Sequence, residues 1–225
     1  MENLLKQFSI QVNEEIYLKD PESSELGRRI ISGSISMITE IGFDDFTFRK
    51  LAEEINSTEA SVYRYFKSKH KLLLYLMSWY WGWMEYRLVF TITNVESAKE
   101  RLERALKLLT GPMKADMAFE HIDEVKLHEI VIAESSKAYL NKKVDEENRQ
   151  GVFMGYKRLV GRVADIITEI NPDFKYPHML ISTVIEGAHH QRFFAEHLPR
   201  LTDVVEGEDS ITNFCKELVF KTIKC

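Results

Sequence analysis

The sequence predicts an all-α fold, and two observations carry that prediction. The five prolines of this 225-residue chain leave long segments without a helix breaker. Alternation of apolar and polar residues over strand-like lengths is scarce. With 44% apolar residues, the chain can bury the core of one large domain, or of a small domain joined to a larger one.

The first helix is predicted to run from Glu25 to Ile41, and Gly42 follows where a left-handed C-terminal cap is needed. Its apolar residues recur at helical spacing and predict one buried face. They are Leu26, Ile30, Ile31, Ile35, Ile38 and Ile41.

A helix-turn-helix is predicted over residues 47–66. Thr47 is a good N-cap for a short helix that stops at Asn56, a residue type that tolerates the left-handed conformation. Thr58 can cap the next short helix, whose inward positions are Val62 and Phe66. The first of the two short helices carries an apolar stripe of Phe48, Leu51, Ala52 and Ile55.

A fourth helix is predicted from Lys69 towards Thr91, capped by Ser68. Further helices are predicted near residues 96–110, 121–141, 144–170, 176–198 and 208–223. The breaks between them are the segments TGPMKAD, NPDFKYP and LPRLTDVVEGED.

The second short helix has the chemistry of a DNA-reading surface. With Val62 and Phe66 inward, Glu59, Ala60 and Ser61 lie on the outer side, together with Tyr63. Serine can donate or accept hydrogen bonds at base edges, alanine can touch a thymine methyl, and glutamate can accept from cytosine.

Charge agrees with this interpretation. The protein has a net charge of −5, so it is not a basic protein that coats nucleic acid. Residues 47–72, however, carry six cations against three carboxylates, a net of +3, while the rest of the chain carries −8. The cations lie where the phosphates would be, and the acidic remainder of the chain would discourage DNA from binding elsewhere.

These residues resemble the DNA-binding domain of the tetracycline-repressor (TetR/AcrR) family of bacterial regulators. The resemblance covers residues 24–84 and leaves 1–23 as an N-terminal leader, whose contact with DNA or with the core is open. The similar positions are Gly42-Phe43, Thr47, Leu51-Ala52, Thr58, Val62-Tyr63, Tyr65-Phe66, Lys69 and Leu72. The chain departs from the family pattern at Asn56, Ser57 and Ala60, where the family has glycine, valine and glycine.

The resemblance implies a DNA site. The positions that match Thr47, Thr58, Tyr63 and Lys69 typically hold phosphates in this family, whereas those from Glu59 to Ser61 face bases. Charge and position add two further candidates for the DNA contact, Arg49 and Arg64.

The resemblance also implies that residues 85–225 form a helical domain that binds an effector and dimerises. The aromatic run YLMSWYWGWMEY places Trp79 and Trp83 four residues apart, either as core packing or as the lining of an apolar cavity. An apolar or aromatic small effector is expected there. The last two long helices are expected to form the homodimer interface, with His190, Phe193, Phe194 and Phe214 as candidates.

Other classes of function find little support in the sequence. The scattered histidines have no metal-protease spacing, and no nucleophile elbow, phosphate-binding glycine loop or cofactor motif occurs. The expectation is therefore a protein that is not an enzyme and has no metal and no cofactor. The longest uncharged apolar run, Leu72 to Met84, is shorter than the roughly 20 residues that span a bilayer.

The sequence therefore predicts a dimeric DNA-binding transcriptional regulator. We expect a repressor that a small-molecule effector releases from a near-palindromic operator. The absence of a signal-like segment and the presence of only two cysteines favour a cytoplasmic location. The alternative keeps the DNA binding but makes the C-terminal domain a protein-interaction module with no small-molecule effector.

Overall fold

The computed structural model describes residues 10–115 and 119–224, and all regular structure within them is helical, as predicted. Short 3-10 turns occur at Glu14–Ile16, Pro21–Ser23 and Pro199–Leu201. The α-helices are α1 (Glu25–Asp45), α2 (Phe48–Glu54), α3 (Glu59–Tyr63), α4 (Lys69–Ile92), α5 (Ala98–Thr110), α6 (Glu124–Tyr139), α7 (Val144–Arg149), α8 (Met154–Ile170), α9 (Pro177–His197) and α10 (Ser210–Thr222).

The predicted N-caps start three of these helices. Thr47 Oγ1 accepts a hydrogen bond from the Lys50 N–H, and Thr58 Oγ1 accepts one from the Ser61 N–H, both at 3.2 Å. At the start of α4, Ser68 Oγ accepts from the Lys71 N–H at 3.3 Å. Each cap satisfies one of the N–H groups that a helix leaves without an internal partner.

Gly42 interrupts α1 at the predicted position. Its φ of 77° and ψ of 159° are non-helical, and the chain continues past this kink to Asp45. A side chain is strained in this region of backbone conformation, which suits glycine. The kink starts the short corner, Phe43–Phe46, that leads into Thr47 and α2.

The prediction of one continuous helix over 144–170 is wrong, because the chain forms two helices there, α7 and α8. Gly151 has a φ of 81° and ends α7. The Val152 N–H donates to the Glu147 carbonyl at 3.1 Å, and the Gly151 N–H donates to the Asn148 carbonyl at 3.1 Å. This pair of bonds is a Schellman motif, the usual way in which a glycine ends a helix.

The chain divides into two compact units. One consists of residues up to 82 together with 113–154, and the other of 83–112 together with 155–225. In the first unit α1 packs on α6 and α2 on α3, whereas in the second α5, α9 and α10 pack on one another. The domain limits 24–84 and 85–225 stay a prediction.

The described part of the leader packs on the first unit. Ile10, Ile16 and Pro21 are buried, as core residues are. Hydrogen bonds described below tie Leu18 and Lys19 to Tyr65. Packing on the core is therefore observed for residues 10–23, contact of the leader with DNA stays open, and the first nine residues lie outside the described residues.

We predict that Gly42→Ala lowers the free energy of unfolding by about 1–3 kcal/mol, because alanine is strained at this φ and ψ. The control is Gly161→Ala in α8, where an added Cβ meets no atom within 4 Å. This control should raise the free energy of unfolding by roughly 0.5–1 kcal/mol, since alanine is the better helix former. Urea titration measures both; equal effects would contradict the assigned conformation of Gly42.

Candidate nucleic-acid interface

The turn between α2 and α3 has the geometry that the sequence predicts. Asn56 adopts a left-handed φ of 49°, and the Ser57 N–H donates to the Ala52 carbonyl at 2.8 Å. The Asn56 N–H also donates to the Glu53 carbonyl at 3.2 Å. This is again a Schellman motif, with asparagine in place of the commoner glycine. Asn56 thus preserves the helix-turn-helix.

Helix α3 buries one side and presents the other. Val62 and Phe66 are completely buried, and Tyr65 is buried as well. Glu59 and Ala60 are exposed, and Ser61 is half-buried. The side predicted to read bases is therefore accessible.

The hydroxyl groups of Thr58 and Ser61 share a hydrogen bond of 2.8 Å. A hydroxyl can donate one hydrogen bond and accept two, so Ser61 Oγ keeps capacity for another partner. The contact holds the Ser61 side chain beside the cap of α3. Ser61 is consequently positioned by its neighbour before any ligand arrives.

The Tyr63 side chain is 47% exposed, and its ring packs edge-on against Phe48 with the centroids 5.0 Å apart. Its hydroxyl makes no hydrogen bond within the described residues. The ring is thus anchored on α2 while the hydroxyl is available to an outside acceptor. A phosphate oxygen is such an acceptor.

Lys69 has a role that the sequence did not reveal. Its Nζ donates to the carbonyl oxygens of Phe43, Asp44 and Phe46 at 3.0, 2.9 and 3.2 Å. An ammonium group has three N–H donors, so all of them are used. Lys69 holds the corner Phe43–Phe46, and a phosphate at this position would have to share the ammonium with these carbonyls.

The two arginines of the interface differ in their surroundings. Arg49 pairs with Glu53 at 3.2 Å, both side chains being largely exposed, and such a pair contributes little to stability. Arg64 is exposed and makes no ion pair within the described residues. Arg64 is the freer of the two cations.

The corner Phe43–Phe46 is also fastened to α6. The Phe43 N–H donates to Glu134 Oε1 at 3.3 Å, and Lys137 Nζ contacts Asp44 Oδ1 at 2.9 Å and Glu134 Oε2 at 2.7 Å. Burial alone would lower the pKa of Lys137, but its hydrogen bonds with Glu134 and Asp44 outweigh burial and raise the pKa. The sequence showed Glu134 and Lys137 only as an i, i+3 pair on a predicted helix, with no sign of their partners.

The leader forms a strap, Glu14–Lys19, that is tied to the end of α3. The Leu18 N–H donates to the Tyr65 carbonyl at 2.7 Å, and Lys19 Nζ donates to the Tyr65 hydroxyl at 3.2 Å. The same hydroxyl shares a hydrogen bond of 2.8 Å with Ser24. Burial would raise the pKa of Tyr65, but the hydrogen bonds with Ser24 and Lys19 and the charge of Lys19 lower it overall.

The tryptophans predicted to line an effector cavity are both fully buried. Trp79 packs edge-on against Phe119 with the ring centroids 5.0 Å apart. Arg87 lies over the ring of Trp83, 4.6 Å from its centroid, in cation–π geometry. Their part in a cavity stays a prediction.

The candidate dimer residues lie on the packed helices α9 and α10. Phe193 is 39% exposed and Phe214 is 60% exposed. His190 is exposed and stacks on the half-buried Phe194 with 6.1 Å between the ring centroids. Large apolar side chains that are exposed to solvent on two neighbouring helices are typical of a protein interface.

Two further observations concern other classes of site. Within the described residues, no group of three or more His, Cys, Asp or Glu side chains is placed to hold a metal ion. Across the same part of the chain, no helix is long and apolar enough to cross a membrane.

Comparison with known proteins places these observations in context. Residues 30–76 match the model of a family described as bacterial regulatory proteins, tetR family. The match includes α2, α3, the turn between them and the corner Phe43–Phe46. No curated protein matches the chain in sequence.

Solved structures are similar over most of the chain. The fatty acid degradation regulator FadR from Bacillus halodurans has 17% identity and a TM-score of 0.60, with 85% of this chain and 92% of that chain covered. AibR, solved in complex with isovaleryl coenzyme A and operator DNA, has 14% identity and a TM-score of 0.54, with coverages of 85% and 97%.

The superantigen PfiT has 14% identity and a TM-score of 0.56, with 90% of this chain and 97% of that chain covered. At these identities the similarity establishes the fold alone. Because a superantigen shares the fold with regulators, the function has to be argued from the site.

We predict that Lys69→Met lowers the free energy of unfolding by about 2 kcal/mol, because three carbonyl oxygens lose a charged donor. Lys71→Met is the matched control, since the Lys71 ammonium makes no hydrogen bond within the described residues. That control should change stability by less than about 0.5 kcal/mol. Thermal unfolding followed by circular dichroism measures both. Equal losses would mean that the carbonyl contacts of Lys69 do not hold the corner.

Proposed function

Because residues 30–76 make the chain a member of the tetR family of bacterial regulatory proteins, we propose that it is a sequence-specific DNA-binding transcriptional regulator. One observation carries the proposal: a helix-turn-helix presents its second helix, through Glu59 and Ala60, within a segment of net charge +3 in a chain of net charge −5. A recognition helix of this kind enters the major groove. The protein is accordingly proposed to act in the cytoplasm and not as an enzyme.

The contacts with DNA divide into two kinds. Glu59, Ala60 and Ser61 face the base edges and give specificity. The groups that grip the backbone phosphates and fix the register are the caps Thr47 and Thr58, the side chains of Tyr63, Arg49 and Arg64, and the shared ammonium of Lys69. The free hydroxyl of Tyr63 supports its part in this set.

The regulator is proposed to bind as a homodimer. Two recognition helices reach successive major grooves of a near-palindromic operator only if they lie about one DNA turn, roughly 34–36 Å, apart. A two-fold dimer provides that arrangement. The exposed Phe193 and Phe214, with His190 and Phe194 beside Phe193, supply a surface that a second copy would cover.

The regulator is proposed to be a repressor that a small apolar or aromatic effector releases from the operator. AibR was solved in complex with isovaleryl coenzyme A and operator DNA, which supports the idea that a protein of this fold can bind a small molecule and DNA. The effector needs only to bind better to a conformation in which the recognition helices are wrongly spaced. A difference of a few kcal/mol between the two states suffices.

The corner Phe43–Phe46 offers a route for such coupling. Lys69 at the start of α4 and Glu134 and Lys137 on α6 all bind it, and Thr47 follows it directly. A shift of either helix therefore moves the cap of α2. Thr47 would change its position relative to the phosphates without any contact between effector and DNA.

A second function has one observation in its favour. Trp79 and Trp83 are completely buried, as they would be in a filled core. In this alternative the C-terminal domain is a protein-interaction module, and no small effector binds. An enclosed cavity bearing these rings in a complex with a small molecule would favour the effector instead.

We predict that Tyr63→Phe weakens DNA binding roughly fivefold, to the same extent on promoter and unrelated DNA, because one phosphate hydrogen bond is lost. Ser61→Ala should instead change the preference between base sequences. Fluorescence anisotropy with the promoter of the gene itself measures both, at two salt concentrations.

The matched control for this pair is Tyr176→Phe, because Tyr176 is 59% exposed but lies far along the chain from the helix-turn-helix. The affinity of Tyr176→Phe for DNA should equal that of the wild-type protein. Unchanged binding by both Tyr63→Phe and Ser61→Ala would overturn the assignment of α3 as the recognition helix.

We predict that Phe214→Glu converts the dimer into monomers, because a carboxylate cannot be buried in an apolar interface without a partner. The control is Phe90→Glu on α4, since Phe90 is 67% exposed and lies outside the proposed dimer surface. Sedimentation velocity at micromolar concentration distinguishes the two species. A dimeric Phe214→Glu variant would place the dimer contact elsewhere.

A further inference from the structure

A polar cleft of about 520 Å³ lies in the first unit. One wall is the strap, from Glu14 to Leu18, and the other is formed by the start of α4 and by α7. We call this space the strap cleft. Its volume is in the range of small-molecule sites, roughly 300–1,000 Å³.

Hydrogen bonds hold the walls of the strap cleft together. Asn13 Nδ2 donates to the Gln150 carbonyl at 2.6 Å, and His70 Nε2 contacts Glu147 Oε1 at 2.8 Å. The bond of 2.7 Å between Leu18 and Tyr65 fixes the other end of the strap. These hydrogen bonds thus connect the strap to α7 and to Tyr65, and α4 to α7, around the cleft.

Charges of both signs line the strap cleft. Its cations are Lys67, Lys71 and Lys143, and its exposed carboxylates are Glu14, Glu15 and Glu146. Within the described residues, none of these six side chains makes an ion pair. Three lysines and three glutamates therefore line the strap cleft without pairing with one another.

Glu147 adds a buried carboxyl group to this lining. It is only 3% exposed, and its Oε1 contacts His70. The second oxygen, Oε2, accepts no hydrogen bond from the described residues. A buried carboxylate oxygen without a donor is costly, and an N–H group brought by a ligand at this position would offset that cost.

We propose that the strap cleft binds a small zwitterion with one ammonium and one carboxylate group, the chemistry of a free α-amino acid. The ammonium binds at Glu147 and Glu146, and the carboxylate binds at Lys71 and Lys143. A dication would leave the lysines facing like charge, and a dianion would do the same to the glutamates. This site is separate from the apolar effector cavity proposed above, and its binding does not depend on DNA.

The proposal is tested by isothermal titration calorimetry of the full-length protein with each of the standard L-amino acids. At least one should bind, and the matching amine without the carboxylate and acid without the ammonium should each bind at least roughly tenfold more weakly. Failure of all the amino acids to bind, or equal binding of the amine or acid alone, would overturn the proposal.

Variants locate the binding on the molecule. Lys143→Met and Glu146→Gln should each weaken binding at least roughly tenfold, because each removes one of the two charge contacts. Their matched controls, Lys142→Met and Asp145→Asn, change exposed neighbours that do not line the cleft and should bind as the wild type does. Equal effects of the variants and their controls would place the ligand elsewhere.

Hydrogen exchange gives a readout that does not require DNA. The bound amino acid should slow exchange of the amides from Glu14 to Leu18, since it bridges the strap to α4 and α7. Binding without such protection would contradict the position proposed for the ligand. Loss of DNA binding would leave all these measurements unaffected, so the failure of one proposal is distinguishable from the failure of the other.

Discussion

The ammonium group of Lys69 is the contact on which the geometry of the interface depends. It gathers the carbonyl oxygens of Phe43, Asp44 and Phe46, just where the chain leaves the kink at Gly42. Without Lys69, these three carbonyl oxygens would lose their charged donor. With the corner fixed, Thr47 is placed to cap α2, and α2 in turn supports the ring of Tyr63 through Phe48.

The short helices that form the interface could not hold this arrangement alone. Helix α2 has 7 residues and α3 has 5, far below the roughly 12–15 that make an isolated helix even marginal in water. Their positions are imposed by the buried side of α3, by the corner, and by the strap, which is hydrogen-bonded to Tyr65. A structural change in any of these supports is therefore also a change at the proposed DNA-reading surface, as the proposed regulation would require.

Sequence reasoning succeeded where the determinants are local. The caps Thr47, Thr58 and Ser68, the left-handed Asn56 and the inward Val62 and Phe66 each follow from neighbours a few residues away. It failed at Gly151, where helical periodicity on both sides concealed a break that one glycine makes. It also missed the contacts of Lys69 and Glu134, and the packing of the strap, because these partners are distant in the chain. The roles of Trp79 and Trp83 were left open for a similar reason, since aromatic residues at helical spacing occur both in cores and in cavities.

Selection of genomic fragments in vitro, followed by sequencing, tests sequence-specific DNA binding most directly. The wild-type protein should enrich fragments that share a near-palindromic motif, with half-site centres about 10 base pairs, or one helical turn, apart. That result would follow from a dimer that presents two copies of α3 to one face of the duplex. Recovery of fragments without a shared motif, in proportion to their abundance, would contradict the account.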